Sequence, residues 1–434
     1  FIASIVIFLA GSALSGLSQS MGELIAFRAL QGLGAGGLMV GAMATLGDIV
    51  SPRERGRYMG YMMMVMMLAT VGGPLLGGFI TTSFSWRWIF YINIPLGGAA
   101  LIYLLAVLHV PTHKVKHKVD YLGGTLLAVA STALILLATW GGTQYAWGSA
   151  QIIGLAVLTV AAVAGFVLVE TRAAEPMLPL HVFRSGNFSL AMVMTFLTGL
   201  AMFGAMTFLP LFQQTVQGES PTVSGLMLTP MMVGVTVTSM LAGQVTSRTG
   251  RYKIFPILGG AFMAAAMFLL TGLGTGTTRF TSALYYVVLG LGMGFLMQMV
   301  SLIAQNSVQQ RDMGVASSAR MFFQQIGGSL GVAAFGAIFA RELTGSLASA
   351  TGTGARISTS GGQLDPATVN SLPAPVRHDV FFAIAHAVQH VFVWAAPSAI
   401  LIFVLAWFIK EVPLRGRAPS ADAGEAAQQP ELVS

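Results

Sequence analysis

Few side chains in this sequence can do chemistry, and their spacing narrows the choice further. Cysteine is absent, which excludes a thiol nucleophile, a disulfide framework and a Cys-ligated metal. His386 and His390 stand one helical turn apart, a spacing that suits either a metal ion or an interfacial helix face, and the second is the simpler reading. His109, His113 and His117 straddle Pro111 in a basic stretch and read as solvated loop residues. Gly32, Gly34 and Gly37 match a dinucleotide fingerprint, and Gly327-Gly328-Ser329-Leu330-Gly331 matches a nucleophile elbow. Both lie inside apolar runs, without a preceding strand or a His/Asp partner, so neither argues for a cofactor or for acyl transfer. No acid falls mid-run anywhere in the chain. No enzyme, cofactor or metal is therefore expected. The sharpest residue is Arg28, which sits within Glu23-Leu24-Ile25-Ala26-Phe27-Arg28-Ala29-Leu30-Gln31-Gly32. An arginine in a membrane helix is costly and faces a cavity or a partner, unless it snorkels to the nearby interface.

The elements that must position these residues follow from composition. Of 434 residues, 55% are hydrophobic and 9% charged, against about 25% charged in a soluble domain. Mean hydropathy is +0.76. A soluble enzyme, a disordered chain and a nucleic-acid-binding module are excluded. Apolar runs fall at about 2–18, 24–47, 59–82, 89–108, 122–140, 151–169, 188–210, 224–245, 254–273, 281–304, 321–340 and 389–409. They lack the two-residue alternation of a barrel, so twelve helical spans of ~20 residues are expected. The 52 glycines suit close helix packing. Residues 343–380 read as a polar outer loop and 413–434 as a disordered tail.

Loop charge orients the spans. One set of alternate connections carries sixteen of the 22 Lys and Arg, including Arg53, Arg55, Arg57, Arg248, Arg251, Arg311 and Arg320. The other carries five: Arg87, Arg279, Arg341, Arg356 and Arg377. The first set is expected to be cytoplasmic, with both chain ends on that side. Trp86, Trp88, Tyr91, Tyr145 and Trp147 then form an outer aromatic belt.

Arg28-Ala29-Leu30-Gln31-Gly32-Leu33-Gly34 resembles the fourth-helix motif of the major facilitator superfamily. Ala69-Thr70-Val71-Gly72-Gly73-Pro74-Leu75-Leu76-Gly77-Gly78 resembles the antiporter motif of its fifth helix, with Ala69 in place of the leading glycine. Trp86-Arg87-Trp88 and the residues to Pro95 are similar to the stretch that follows this motif in the fourteen-span drug:proton antiporters of the EmrB/QacA type. Gly243-Gln244-Val245-Thr246-Ser247-Arg248-Thr249-Gly250-Arg251 resembles the superfamily's basic loop, with Ser247 where an aspartate is usual.

The resemblance implies an all-α polytopic membrane protein with about twelve of a probable fourteen spans, two being absent ahead of Phe1. It implies an N-terminal transport half at 1–108, two inserted helices with flanking loops at 109–187, a six-helix half at 188–412 and the tail at 413–434. It implies multidrug efflux by proton antiport across the cytoplasmic membrane through alternating access, with the coupling acid in the absent helices. Arg28, Gln31, Gly32 and Asp48 would serve transport or coupling, although Asp48 is equally a solvated helix end. Gly73, Pro74, Gly77 and Gly78 would form a tight seam. Gly243, Arg248, Gly250 and Arg251 would form an inner gate or simply set topology. The first and fourth helices of each half would line the cavity with Phe203, Met206, Phe208, Met297 and Gln298, a surface for bulky lipophilic compounds. Met62, Met63, Met64, Met66 and Met67 suit adaptable packing or drug contact. Expected partners are a lipophilic small molecule, protons and lipid, with no nucleic acid and an accessory export protein left open. A dedicated exporter of one endogenous metabolite and a non-transporting sensor or scaffold are the rival readings.

Overall fold

The computed structural model describes residues 1–49, 58, 61, 65, 69, 72–73, 76–107, 120–142, 144–173, 176–309, 312–350 and 374–413. Backbone polar groups in lipid must pair within their own segment, and the described chain is accordingly helical. The helices are α1 (Ile2–Leu17), α2 (Met21–Ile49), α3 (Trp88–Tyr91), α4 (Asn93–Val107), α5 (Tyr121–Trp140), α6 (Ala150–Glu170), α7 (Gly186–Thr215), α8 (Pro221–Met227), α9 (Thr229–Thr249), α10 (Ile254–Leu270), α11 (Arg279–Asn306), α12 (Met313–Ala350) and α13 (Ala374–Trp407). Another helical segment at 76–83 precedes α3. Eight described helical stretches are long and apolar enough to cross a bilayer, and α1 and α10 are shorter apolar helices. Polar caps set several boundaries: Asp120 Oδ1 accepts from the Gly123 amide at 2.8 Å, and Ser149, Ser185, Ser220 and Thr278 cap their helices likewise.

Packing divides the helices into groups. Helices α7 to α13 share one core, in which Phe188, Met194, Phe212, Tyr286 and Phe392 are almost fully buried. Glycines set its tightest seam. Gly327 on α12 lies against the Phe196 carbonyl of α7, and a Cβ on Gly331 would come within 2.5 Å of the Leu200 carbonyl oxygen. The elbow-like glycine motif is thus a helix-packing face. Gly34 is pressed against Phe8 and Gly37 against Ser4 of α1, while Gly32 meets nothing within 4 Å among the described residues, so two of the three fingerprint-like glycines serve packing. Helices α1 to α4 form a second group, and α5 pairs with α6 and touches α12. No residue of the 88–107 span is buried, whereas 61% of the best window in 186–215 is. Lipid is the solvent for the former's apolar side chains.

Contacts between connections follow the two sets defined by charge. At one end, Arg87 Nη2 donates to the Ser18 carbonyl at 2.9 Å, Arg279 pairs with Glu219, and Gln217 Nε2 donates to the Thr277 carbonyl at 3.0 Å. At the other, Asn187 Nδ2 donates to the Lys410 carbonyl at 2.7 Å and Asn187 Oδ1 accepts from the Lys410 amide at 2.9 Å. There too, Val412 N donates to the Tyr252 hydroxyl at 2.8 Å, and His181 Nε2 lies 3.0 Å from Asp312 Oδ2.

Two expectations are corrected. The stretch 343–380 is not loop throughout, because α12 runs on to Ala350 and α13 begins at Ala374. Buried Leu343 and Val380 anchor these extensions to the core. Arg320 is not in a connection either: α12 starts seven residues earlier and carries it into the span. Pro74, the methionines at 62–64 and 66–67, the histidines at 109, 113 and 117, and the tail beyond 413 lie outside the described residues.

Candidate functional site

Arg28 and Gln31 are three residues apart on α2 and so share a face. Arg28 Nη1 donates to Gln31 Oε1 at 2.6 Å. Gln31 is 3% exposed, and its Nε2 donates to Ser12 Oγ on α1 at 3.0 Å. Ser12 in turn donates to the Phe90 carbonyl at 2.9 Å and accepts from Asn93 Nδ2 at 3.0 Å. The Arg28 guanidinium stands 5.7 Å from the Phe90 ring centroid, a cation–π distance. One chain of polar contacts therefore joins α1, α2, α3 and α4 around the arginine. A snorkelling side chain would reach toward the start of α2. This one is held by a residue one turn deeper.

The second intramembrane cation is Arg320, which the sequence reading placed in a loop. It lies seven residues into α12, and its Nη1 donates to Gln324 Oε1 at 3.0 Å. Arg28 likewise lies seven residues into α2, about 10 Å along the helix. Both cations are thus leashed to a glutamine one turn on. Arg320 Nε and Thr198 Oγ1 are buried and have no hydrogen-bond partner among the described residues. Both residues line a void of about 10 Å³ with Thr195, Leu296, Met297, Val300 and Gln324. That is room for about one water. The available signal was the four-residue spacing of Arg320, just ahead of the apolar run, and Gln324 inside it, which puts both on one helix face.

The remaining candidates separate. Met297 faces Arg320 across the void. Gln298 is exposed and comes within 3.8 Å of a Cβ built on Gly243. The Phe203 ring lies on Gly328, and Met206 is half-buried. Phe208 is 4% exposed and packs at a tilt against Phe339 of α12, with centroids 5.5 Å apart. A cleft of about 600 Å³ lies away from these residues, between Leu33 of α2 and apolar side chains of α5 and α6.

Among the antiporter-motif glycines, Gly73 and Gly77 meet nothing within 4 Å among the described residues. Gly78 is buried against α8: a Cβ there would stand 2.7 Å from the Pro221 carbonyl oxygen and 2.8 Å from Thr222 Cα. One turn on, Thr82 Oγ1 and Thr222 Oγ1 are 3.2 Å apart. In the basic loop, Gly250 closes α9 with φ +72°, and its amide donates to the Thr246 carbonyl at 2.8 Å. Few residues other than glycine adopt that conformation. Arg248 and Arg251 are exposed. The Asp48 side chain lies outside the described residues.

Comparison with known proteins places this architecture. An uncharacterized MFS-type transporter of Mycobacterium tuberculosis is 42% identical over 96% of the chain, which spans 61% of that relative's length. The multidrug transporter protein MdtP of Bacillus subtilis is 37% identical over 78% of the chain and 62% of its own length. The chain thus covers about three-fifths of these curated relatives. Among solved structures, a bacterial homologue of the human lysosomal transporter Spinster aligns with a TM-score of 0.66 at 14% identity, over 96% of this chain and 84% of that one. The family model of the Major Facilitator Superfamily matches residues 1–332. This chain belongs to the major facilitator superfamily.

Proposed function

We propose that the protein exports lipophilic compounds across the cytoplasmic membrane by proton-coupled alternating access. In this reading the helices of 1–108 and 188–412 rock against each other about a midplane site. The observation that carries it is the pair of intramembrane arginines, each set in apolar helices and leashed to a glutamine. Such charges are retained in lipid for a ligand or an ion path. The name of the multidrug relative supports drug-like cargo. Both leashed intramembrane charges are positive, which favours neutral and acidic lipophiles over lipophilic cations. Arg28, within its four-helix network, is the coupling residue, and Arg320 with Gln324 reads the polar group of the cargo.

The test is a compound panel in an efflux-deficient host that expresses the chain with any coding sequence preceding residue 1. Raised tolerance to lipophilic acids and neutral compounds, lost when the proton gradient is collapsed, is expected. Arg320→Gln should weaken export of acids more than of neutral compounds. Export that survives gradient collapse, or a panel with no change, would overturn the reading.

A further inference from the structure

The C-terminal part of α12 and the first half of α13 carry a cluster that the transport reading does not use. Glu342 on α12 and His386 and His390 on α13 each offer one ligand atom, and the three atoms lie within 4.8 Å of one another. The imidazoles are one turn apart, with ring centroids at 4.5 Å. The Phe382 ring stacks on His386 at 6.3 Å and 15°, which limits how that imidazole can turn. His390 Nδ1 stands 3.5 Å from Glu342 Oε2, too far for a good hydrogen bond. His386 Nδ1 is buried and has no hydrogen-bond partner among the described residues. Leaving a buried ring nitrogen unpaired is costly unless something else occupies its lone pair.

We propose that Glu342, His386 and His390 bind a divalent transition-metal ion of the zinc type. Zinc takes nitrogen ligands at about 2.0–2.1 Å and carboxylate oxygen at about 2.0–2.2 Å, so tetrahedral neighbours sit roughly 3.3 Å apart. The His390–Glu342 pair already stands near that separation. The ligand atoms lie within 4.8 Å of one another, so closing the shell takes a movement of at most about 1.5 Å, made by the Glu342 and His390 side chains while Phe382 holds His386. Two imidazoles and one carboxylate suit zinc, nickel or copper, whereas calcium and magnesium require oxygen-rich shells. Glu342 and the histidines belong to different helices, so the ion clamps α12 to α13. Solvent fills the fourth position.

The experiment uses tag-free protein in detergent, titrated with zinc chloride by calorimetry and followed by thermal unfolding. One tight equivalent and a zinc-dependent rise in Tm are expected. His390→Ala and the nearly isosteric Glu342→Gln should each weaken binding at least about tenfold and abolish the rise. Glu342→Gln keeps the test decisive if His390→Ala does not fold. The triple variant His109→Asn, His113→Asn, His117→Asn should bind as the parent does. No tight zinc in the parent, parental affinity in Glu342→Gln, or loss of the site in the triple variant would each overturn the assignment.

Discussion

Replacing Gly78 with alanine adds one carbon at the most crowded point between the N-terminal helices and α8. That carbon would sit 2.7 Å from the Pro221 carbonyl oxygen and 2.8 Å from Thr222 Cα. These are backbone atoms at the start of a helix, and no side-chain rotation moves them aside. Comfortable separation begins near 3.5 Å, so the seam must open by about 0.7 Å. Overpacking of this kind costs about 1–3 kcal/mol. In an alternating-access cycle the contact exists only while this end is closed, so the cost falls on one state alone. The closed population should then drop relative to the open one by about 5- to 150-fold. The readout is disulfide formation between Thr82→Cys and Thr222→Cys, whose hydroxyl oxygens stand 3.2 Å apart in the parent. The chain has no cysteine of its own, so there is no background. Gly78→Ala should slow cross-linking at least about fivefold. Gly77→Ala, where a Cβ meets no described residue within 4 Å, should leave the rate unchanged. Parental cross-linking in Gly78→Ala would refute the claim that this seam is tight in the membrane.

Arg28→Ala should abolish gradient-driven export while leaving membrane insertion intact, and Arg28→Lys should restore it only in part, because an ammonium cannot reproduce the fork that holds Gln31. Transport assays in vesicles check both, and wild-type rates in Arg28→Ala would reduce the residue to a packing group. Gly250→Ala places a Cβ in a left-handed turn and should cost about 1–2 kcal/mol, read as a lower Tm in detergent, with Gly250→Asn milder. Reporters fused at Gly218 and Gly250 should read opposite sides of the membrane, with Gly218 external; equal readings would break the orientation drawn from loop charge.

Much of the fold was legible because lipid leaves the backbone so few options. Long apolar runs without alternation had to be helices, and loop charge paired the connections that the structure brings together, such as Arg279 with Glu219 and Asn187 with Lys410. Arg28 and Gln31 were legible as a pair because three residues make nearly one helical turn. Arg320 was not. An apolar run marks where side chains face lipid, and α12 begins earlier with a stretch of small residues whose buried positions are Ala316 and Ala319. Gly77 and Gly78 differ by about 100° of helix rotation, and only the position of α8 decides which of them is pinched. The ends of α12 and α13 escaped for a related reason: Glu342 and Asp379 suggest solvent, but the neighbouring Leu343 and Val380 are buried.

The link between Asn187 and Lys410 has a consequence for biosynthesis. The two residues are separated by 223 positions. At about 5–20 residues per second, roughly 11–45 s pass between their emergence from the ribosome. Throughout that interval the amide of Asn187 sits at the lip of a nascent bundle with its eventual acceptor not yet made. The same holds for the Tyr252 hydroxyl, which waits for Val412. Early helices can therefore insert and associate, but this basic rim of the bundle is riveted only when residues 410 and 412 have left the ribosome. A ribosome stalled shortly before residue 410 would leave the helices up to α12 inserted with this rim still open to insertases and quality-control proteases.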